Sequence, residues 1–331
     1  MESLEFAMDM DSAILKNHEN HFKKIDEELD RLLSSRVDLI RDIGKHVLLG
    51  RAKKLRPLFF VLSCHLCNYQ DESIYRFSTL FEYMHAASLL HDDVLDNAEV
   101  RRNKPSANQV WGNQTAVLGG DFLVSKFFSL AVSSNNILFL KRLTDTVQMP
   151  EGQILELLHT DDWNISKEEY MEIIRSKTAV LISTACACGA ILSGAGEEAE
   201  ESLGEFGLNV GIAFQLMDDL LDYTSSAEVF GKPVGKDLRE GKITLPLIYT
   251  LPKIDRPERK RLEDLFASHQ ATDEDYEYLI GLVRSNGAVD EVRNEAQSYV
   301  NKAVTCLSKF PESPAKRDLL QLSQYVIDRI Y

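Results

Sequence analysis

The chain has 331 residues, 44% of them hydrophobic, with 9 prolines, 17 glycines and no low-complexity tract, which is the composition of a globular protein and excludes extended disorder. A formal charge of −15 argues against a nucleic-acid partner, because phosphate backbones are held by broad basic surfaces; an anionic substrate must be met by a local cluster of cations. The N-terminal MESLEFAMDMDSA has acids where a secretory leader has lysines, and five cysteines at 64, 67, 186, 188 and 306 are an odd, scattered set, so the expectation is a cytoplasmic protein with reduced thiols and no membrane anchor.

In chain order, apolar residues recur at spacings of three and four, first at Ile14, Phe22, Ile25, Leu29 and Leu32, later at Phe77, Leu80, Phe81, Met84, Ala87 and Leu90. That is helical periodicity. Cys64 and Cys67 have a metal-like spacing, but they lie in the apolar run LFFVLSCHLC with no second pair, and a buried helix is the better reading. Met149-Pro150-Glu151-Gly152 marks a break between helices. Ser166 with Glu169 predicts a capping box ahead of a helix, and Asp255, Thr272 and Ser313 stand where N-caps are expected.

Residues 178–196, TAVLISTACACGAILSGAG, carry no charge and by length could cross a bilayer. Half of them are small or hydroxylated, so a buried central helix with close neighbours is expected instead. Residues 225–241, SSAEVFGKPVGKDLREG, lack periodicity and predict a working loop. Strict alternation is absent and no linker divides the chain, so the expectation is an all-α fold, one large helical bundle forming a single domain over residues 1–331.

Two acidic clusters stand out, LLHDDVLD at 89–96 and QLMDDLLD at 215–222. On a helix, Asp92 and Asp96 share a side, with Asp93 about 100° round; Asp218, Asp222 and Asp219 repeat the pattern. Like charges at this spacing destabilise a helix, so something positive must compensate. Hard divalent cations do so, since Mg²⁺ is shared between one or two carboxylates and substrate phosphates. A solvated acidic face is the bland alternative, disfavoured because apolar residues surround both clusters. Asp161-Asp162 is a third pair without a partner four residues on and reads as loop chemistry. Arg101 and Arg102, the trio Lys53, Lys54 and Arg56, Lys177, and Lys232, Lys236 and Lys242 supply cations for diphosphate oxygens.

These residues resemble the trans-isoprenyl diphosphate synthase, or polyprenyl synthetase, family from about Lys53 to Pro246, through KKLRP, MHAASLLHDDVLDNAEVRR, GGD at 119–121, SKT at 176–178, FQLMDDLLD and GKPVGKDLREGKITLP. The resemblance implies the isoprenoid synthase fold with a central cavity, a homodimer, and Mg²⁺ as cofactor, three ions with substrate bound. It implies that Asp92, Asp96, Asp218 and Asp222 ligate metal, with Asp93, Asp219 and Lys177 also in the catalytic set. Lys53, Arg56, His85 and Arg102 would bind isopentenyl diphosphate. Arg101, Lys177, Thr178, Gln215 and Lys232 would hold the allylic diphosphate, geranyl or farnesyl. Two positions depart from the family pattern: Arg51-Ala52 replaces Gly-Gly, and Lys236 replaces a small polar residue.

The implied reaction is ionisation of the allylic diphosphate, attack by the isopentenyl double bond and loss of a proton, with no Ser, Cys or His nucleophile. His85 reads as a diphosphate donor, His91 as packing or support for Asp92. In short-chain relatives a bulky side chain four or five residues before the first cluster acts as a floor; here these are Ser88 and Ala87, which predicts a long product, C30–C50, stopped by a deeper layer from Phe127, Phe128 and Ala131. A short-chain synthase is the alternative. A class I terpene cyclase is disfavoured by the second complete motif and the isopentenyl-site set, a non-catalytic partner subunit by the presence of both motifs.

Overall fold

A computed structural model describes residues 14–33, 35–49, 53–101, 104–225 and 235–328. The uncharged stretch forms α10 (Val180–Ser193), buried at every residue from 180 to 191, as its composition predicts. It lies along α11 (Glu197–Thr224), the longest helix described. The small residues permit the closeness: a Cβ on Gly207 of α11 would stand 2.6 Å from the carbonyl oxygen of Ile182, so any larger residue would push the two helices apart.

The remaining helices wrap this pair. On one side run α1 (Glu19–Leu32), α2 (Asp38–Leu48), α3 (Leu55–Leu66), α4 (Ser73–Leu95), α5 (Ala107–Trp111), α6 (Asn113–Val132), α7 (Ile137–Leu143) and α8 (Gln148–Leu158). On the other lie α9 (Lys167–Ile174), α12 (Lys236–Arg239), α13 (Leu245–Thr250), α14 (Arg256–Ala267), α15 (Asp273–Ser285), α16 (Ala288–Cys306) and α17 (Pro314–Asp328). Two hydrophobic clusters result, one around α4 and α6, one around α11 and α16, and α3 and α10 feed both. The architecture is the all-α bundle expected. The one sheet among the described residues is a two-stranded ribbon, β1 (Val100–Arg101) against β2 (Lys104–Pro105), with Val100 opposite Pro105 and Arg101 opposite Lys104. It is too short for an alternation to register in sequence.

Helix starts follow their chemistry. Ser166 accepts from the Glu169 amide while the Glu169 carboxylate accepts from the Ser166 amide, the expected capping box; Thr272 and Asp275 make a second. Asp255 accepts from the Glu258 amide at 2.9 Å and Ser313 from the Lys316 amide at 3.1 Å. The expected break at 149–152 is not one. Helix α8 runs through it, because Pro150 is the third helical residue, where no helical acceptor awaits its missing N–H. Cys64 is buried in α3 and Cys67 is its C-cap, so this apolar run is the helix expected.

Two helical stretches are long and apolar enough to cross a membrane, Asn113–Val132 and Lys167–Ser193; the second is 78% buried inside the protein.

Candidate active site

The first acidic cluster sits where α4 ends. Asp96 is the C-cap, its amide bonded to the Asp92 carbonyl at 2.8 Å; Asn97 follows with φ 48°, and the Ala98 amide returns to the Asp93 carbonyl at 2.9 Å. This left-handed exit turns the chain at the last carboxylate. Asp92 and Asp96 are half-buried, whereas Asp93 is 3% exposed and turned inward. The ribbon brings Arg101 back onto it: Arg101 Nε and Nη2 both donate to Asp93 Oδ1, at 2.8 and 2.6 Å. Burial pushes the Asp92 carboxyl above the usual carboxylate range, Lys177 pulling it down and Asp96 up.

The second cluster lies near the end of α11. Asp218 is exposed, Asp219 fully enclosed and Asp222 between them. Asp219 accepts from the Tyr170 hydroxyl at 2.5 Å and from Gln215 Nε2 at 2.7 Å; burial raises its carboxyl to about 7, and these two hydrogen bonds oppose the rise. Asp222 spends both oxygens on backbone, accepting from the Lys236 amide at 3.0 Å and the Asp237 amide at 2.9 Å, and so caps α12. Asp237, half-buried beneath, is held well above the usual range, first by its desolvation and then by Asp219 and Asp222.

Between the clusters the chain from α9 to α10 passes through a π-turn, Arg175–Ala179, that carries Lys177 and Thr178. Such turns frequently mark functional positions in helices. Close packing holds it on both sides: a Cβ on Gly152 of α8 would come within 2.6 Å of the Lys177 amide nitrogen, and one on Gly211 of α11 within 2.6 Å of Ala179 Cα. Lys177 Nζ donates to Glu156 at 2.5 Å, and Thr178 Oγ1 to Gln215 Oε1 at 2.8 Å.

Lys242 connects the first cluster to the segment that follows the second. Its ammonium stands 3.6 Å from Asp96 and 2.7 Å from Glu240. Burial works to lower its pKa, but Glu156, Glu240 and Asp96 outweigh burial and raise it, so the charge stays. Glu156 thus faces Lys177, Lys242 and Asp92 from α8. A cleft of about 130 Å³ opens beside them, lined by Glu156, Tyr170, Lys177, Thr178, Gln215, Asp219, Asp237 and Lys242 among others. Neither Ala87 nor Ser88 is among its walls.

The other expected residues are placed as follows. Arg56 and His85 are half-buried on α3 and α4, and Lys53 Nζ donates to the Tyr325 hydroxyl of α17 at 2.9 Å. His91 packs over Gly120, with Nε2 3.2 Å from the Val117 carbonyl and 3.4 Å from Asp121, so it braces α4 against α6. Ala87 is 1% exposed and Ser88 half-buried, its hydroxyl bonded to the His85 carbonyl. Phe127 and Ala131 are buried, but Phe128 is 53% exposed and faces outward, so it cannot belong to an internal floor. Arg102, Lys232 and the Arg51-Ala52 pair lie outside the described residues. Asp161-Asp162 is loop chemistry as expected: Asp162 accepts from the Asn164 amide and pairs with His159. The Asp161 amide also bonds the Gly241 carbonyl, steadying the residue before Lys242.

Sequence reasoning missed Tyr170, Glu156 and Asp237, and put Lys242 only in a loop with other cations. Tyr170, Glu156 and Asp237 are distant in sequence from Asp219, Lys177 and Asp222, which they meet. The lone available signal was position: Tyr170 lies a heptad before Lys177 and so on nearly the same helical side.

Residues 37–283 match the family model described as polyprenyl synthetase. The chain is 35% identical to the all-trans-nonaprenyl-diphosphate synthase (geranyl-diphosphate specific) of Rhodobacter capsulatus over 98% of its own length and 99% of that protein's. It is 35% identical to the octaprenyl diphosphate synthase of Escherichia coli, covering 90% of this chain and 92% of the other. Its fold superposes with a TM-score of 0.90 on the polyprenyl synthase of Caulobacter crescentus complexed with calcium and isoprenyl diphosphate, at 33% identity and over 95% and 96% of the two chains. Two carboxylate clusters beside one cleft, in a bundle shared with these proteins along almost its entire length, make this chain a member of the polyprenyl synthetase family.

Proposed function

We propose that this chain-elongating prenyltransferase condenses isopentenyl diphosphate with an allylic diphosphate, geranyl or farnesyl, and extends the product to an all-trans C30–C50 polyprenyl diphosphate. The observation that carries the reading is that Lys242, 3.6 Å from Asp96 of the first cluster, lines one cleft with Asp219 of the second and with Lys177, Thr178 and Gln215.

The donor set fits Mg²⁺: Asp92, Asp96 and Asp218 offer hard oxygens, and the raised carboxyl of Asp92 is one that a cation would relieve. Among the described residues no three His, Cys, Asp or Glu side chains converge to hold an ion alone. An ion here would therefore complete its shell with diphosphate and water, as Mg²⁺ does in phosphate-transfer sites. Calcium together with isoprenyl diphosphate in the Caulobacter relative supports this. Bound Mg²⁺ would stabilise the negative charge that develops on the departing diphosphate. Lys177 and Thr178 would bind that diphosphate, and Lys53, Arg56 and His85 the isopentenyl one. The allylic C–O bond breaks with its electron pair leaving on diphosphate, the isopentenyl double bond forms the new C–C bond, and a proton departs to the released diphosphate.

A homodimer goes with this reading, supported by an apolar stripe on α6, where Leu118, Phe128 and Val132 are 67%, 53% and 60% exposed on one side of the helix. A cytoplasmic location is supported by thiols left unbridged, Cys64, Cys186 and Cys188 among them buried.

The test is incubation with Mg²⁺, labelled isopentenyl diphosphate and either primer, with products resolved by length. Products beyond C20 are expected, and Ser88→Phe should shorten them. Product ending at C20 or below in the parent would overturn the long-chain assignment, and an unchanged distribution in Ser88→Phe the role given to that position.

A further inference from the structure

Tyr170 has no part in the assignments above, yet it is 3% exposed, and it lines the same cleft as Lys177 and Thr178. Its hydroxyl donates to Asp219 Oδ2 at 2.5 Å while Gln215 Nε2 donates to Oδ1 at 2.7 Å. Gln215 in turn accepts from Thr178 at 2.8 Å. A chain of three hydrogen bonds therefore runs from α9 to Asp219, along α11 to Gln215, and back to the π-turn.

Asp219 is flanked by the exposed Asp218 and is itself enclosed, with both oxygens occupied by protein donors. A rigid phenol ring reaching it from the neighbouring helix fixes how far apart the two helices lie and how α11 is rotated. We propose that Tyr170, acting through Asp219, is a positioning residue that makes Asp218 and Gln215 on α11 converge with Lys177 and Thr178 on one diphosphate. Tyr170 does not touch substrate. The proposal rests on the reading of the second cluster as the allylic diphosphate site. Outer-shell partners of this kind typically contribute 10- to 100-fold to metal affinity or activity.

The experiment uses the full chain and compares Tyr170→Phe, Asp219→Asn and the double variant with the parent. Steady-state kinetics are combined with melting curves, each with and without Mg²⁺ plus inorganic diphosphate. Tyr170→Phe removes one oxygen and keeps the ring. We expect kcat to fall about 10- to 100-fold, the Mg²⁺ needed for half-maximal rate to rise, and the KM for isopentenyl diphosphate to stay where it is. The melting shift given by Mg²⁺ and inorganic diphosphate should shrink. The double variant should be no worse than the poorer single one, since both break the same link.

A variant that melts lower but keeps its kcat, Mg²⁺ requirement and diphosphate-induced shift would reduce Tyr170 to a purely structural residue and overturn the proposal, as would losses that multiply in the double variant. Asp218→Asn serves as the check on the underlying reading. If it keeps the full diphosphate-induced shift, the second cluster is not the diphosphate site, and that reading fails whatever Tyr170→Phe does.

Discussion

Asp218 and Asp222 are equivalent in a helical drawing and differ in burial, the first exposed and the second half-buried. Asp222 accepts two backbone amides from the start of α12, so its carboxylate fastens the segment that leads to Lys242. The spacing of the two acidic motifs was readable because four residues make one helical turn. What each carboxylate faces was not, since the Lys236 and Asp237 amides and the Tyr170 hydroxyl come from other segments. We therefore expect Asp222→Asn, which keeps one acceptor of two, to cost about 1 kcal/mol of stability and to cut kcat about 10-fold. Asp218→Asn should cut kcat by about 100-fold or more. Melting curves and Mg²⁺ titrations of both variants check this. The reverse order would make Asp222 the principal ligand of its motif.

The helices themselves were legible in the periodicity from Ile25 through Leu90 and in the caps at Ser166, Asp255, Thr272 and Ser313. The π-turn was not, because one altered turn leaves no compositional mark in RSKTA. Nor was the continuity of α8 through Pro150, where a residue that usually interrupts helices falls in a first turn that tolerates it. The tight neighbours of the π-turn make it testable. Gly211→Ala would drive a methyl group against Ala179 and its backbone. We expect a loss of about 1–3 kcal/mol together with a fall in kcat, because the displaced segment carries Lys177 and Thr178. Gly281→Ala, whose added methyl group meets nothing within 4 Å, is the control. A Gly211→Ala enzyme with parental kcat and melting temperature would show that the turn needs no such close packing.

For the molecule as a whole, a charge of −15 coexists with a site that must receive diphosphates. The cations resolve this by concentration: Lys177 and Lys242 are drawn to one place by Glu156, Asp96 and Glu240, and the rest of the surface remains acidic. The exposed apolar residues are also concentrated. Leu118, Phe128 and Val132 fall on one side of α6, and Ile154, Leu157 and Leu158 are exposed on α8. Water contact with such stripes is unfavourable, and a second copy would remove it. We expect the parent to sediment as a dimer and Phe128→Glu as a monomer; an unchanged sedimentation coefficient would place the interface elsewhere. The sequence supplied helical periodicity for α6 but could not say which side was left bare, because that depends on what α4 and α2 cover.

The π-turn also bears on descent. A wider turn is what a helix acquires when one residue is inserted without interrupting the flanking coils, and removing that residue restores regular winding at about 100° per step. A single-codon deletion at residue 175 or 176 would thus leave a respectable helix while turning Tyr170 and Lys177 about 100° apart and out of their shared orientation toward the cleft. Length at this point is under the same constraint as residue identity: relatives that keep the chemistry should align here without gaps, even where their side chains differ.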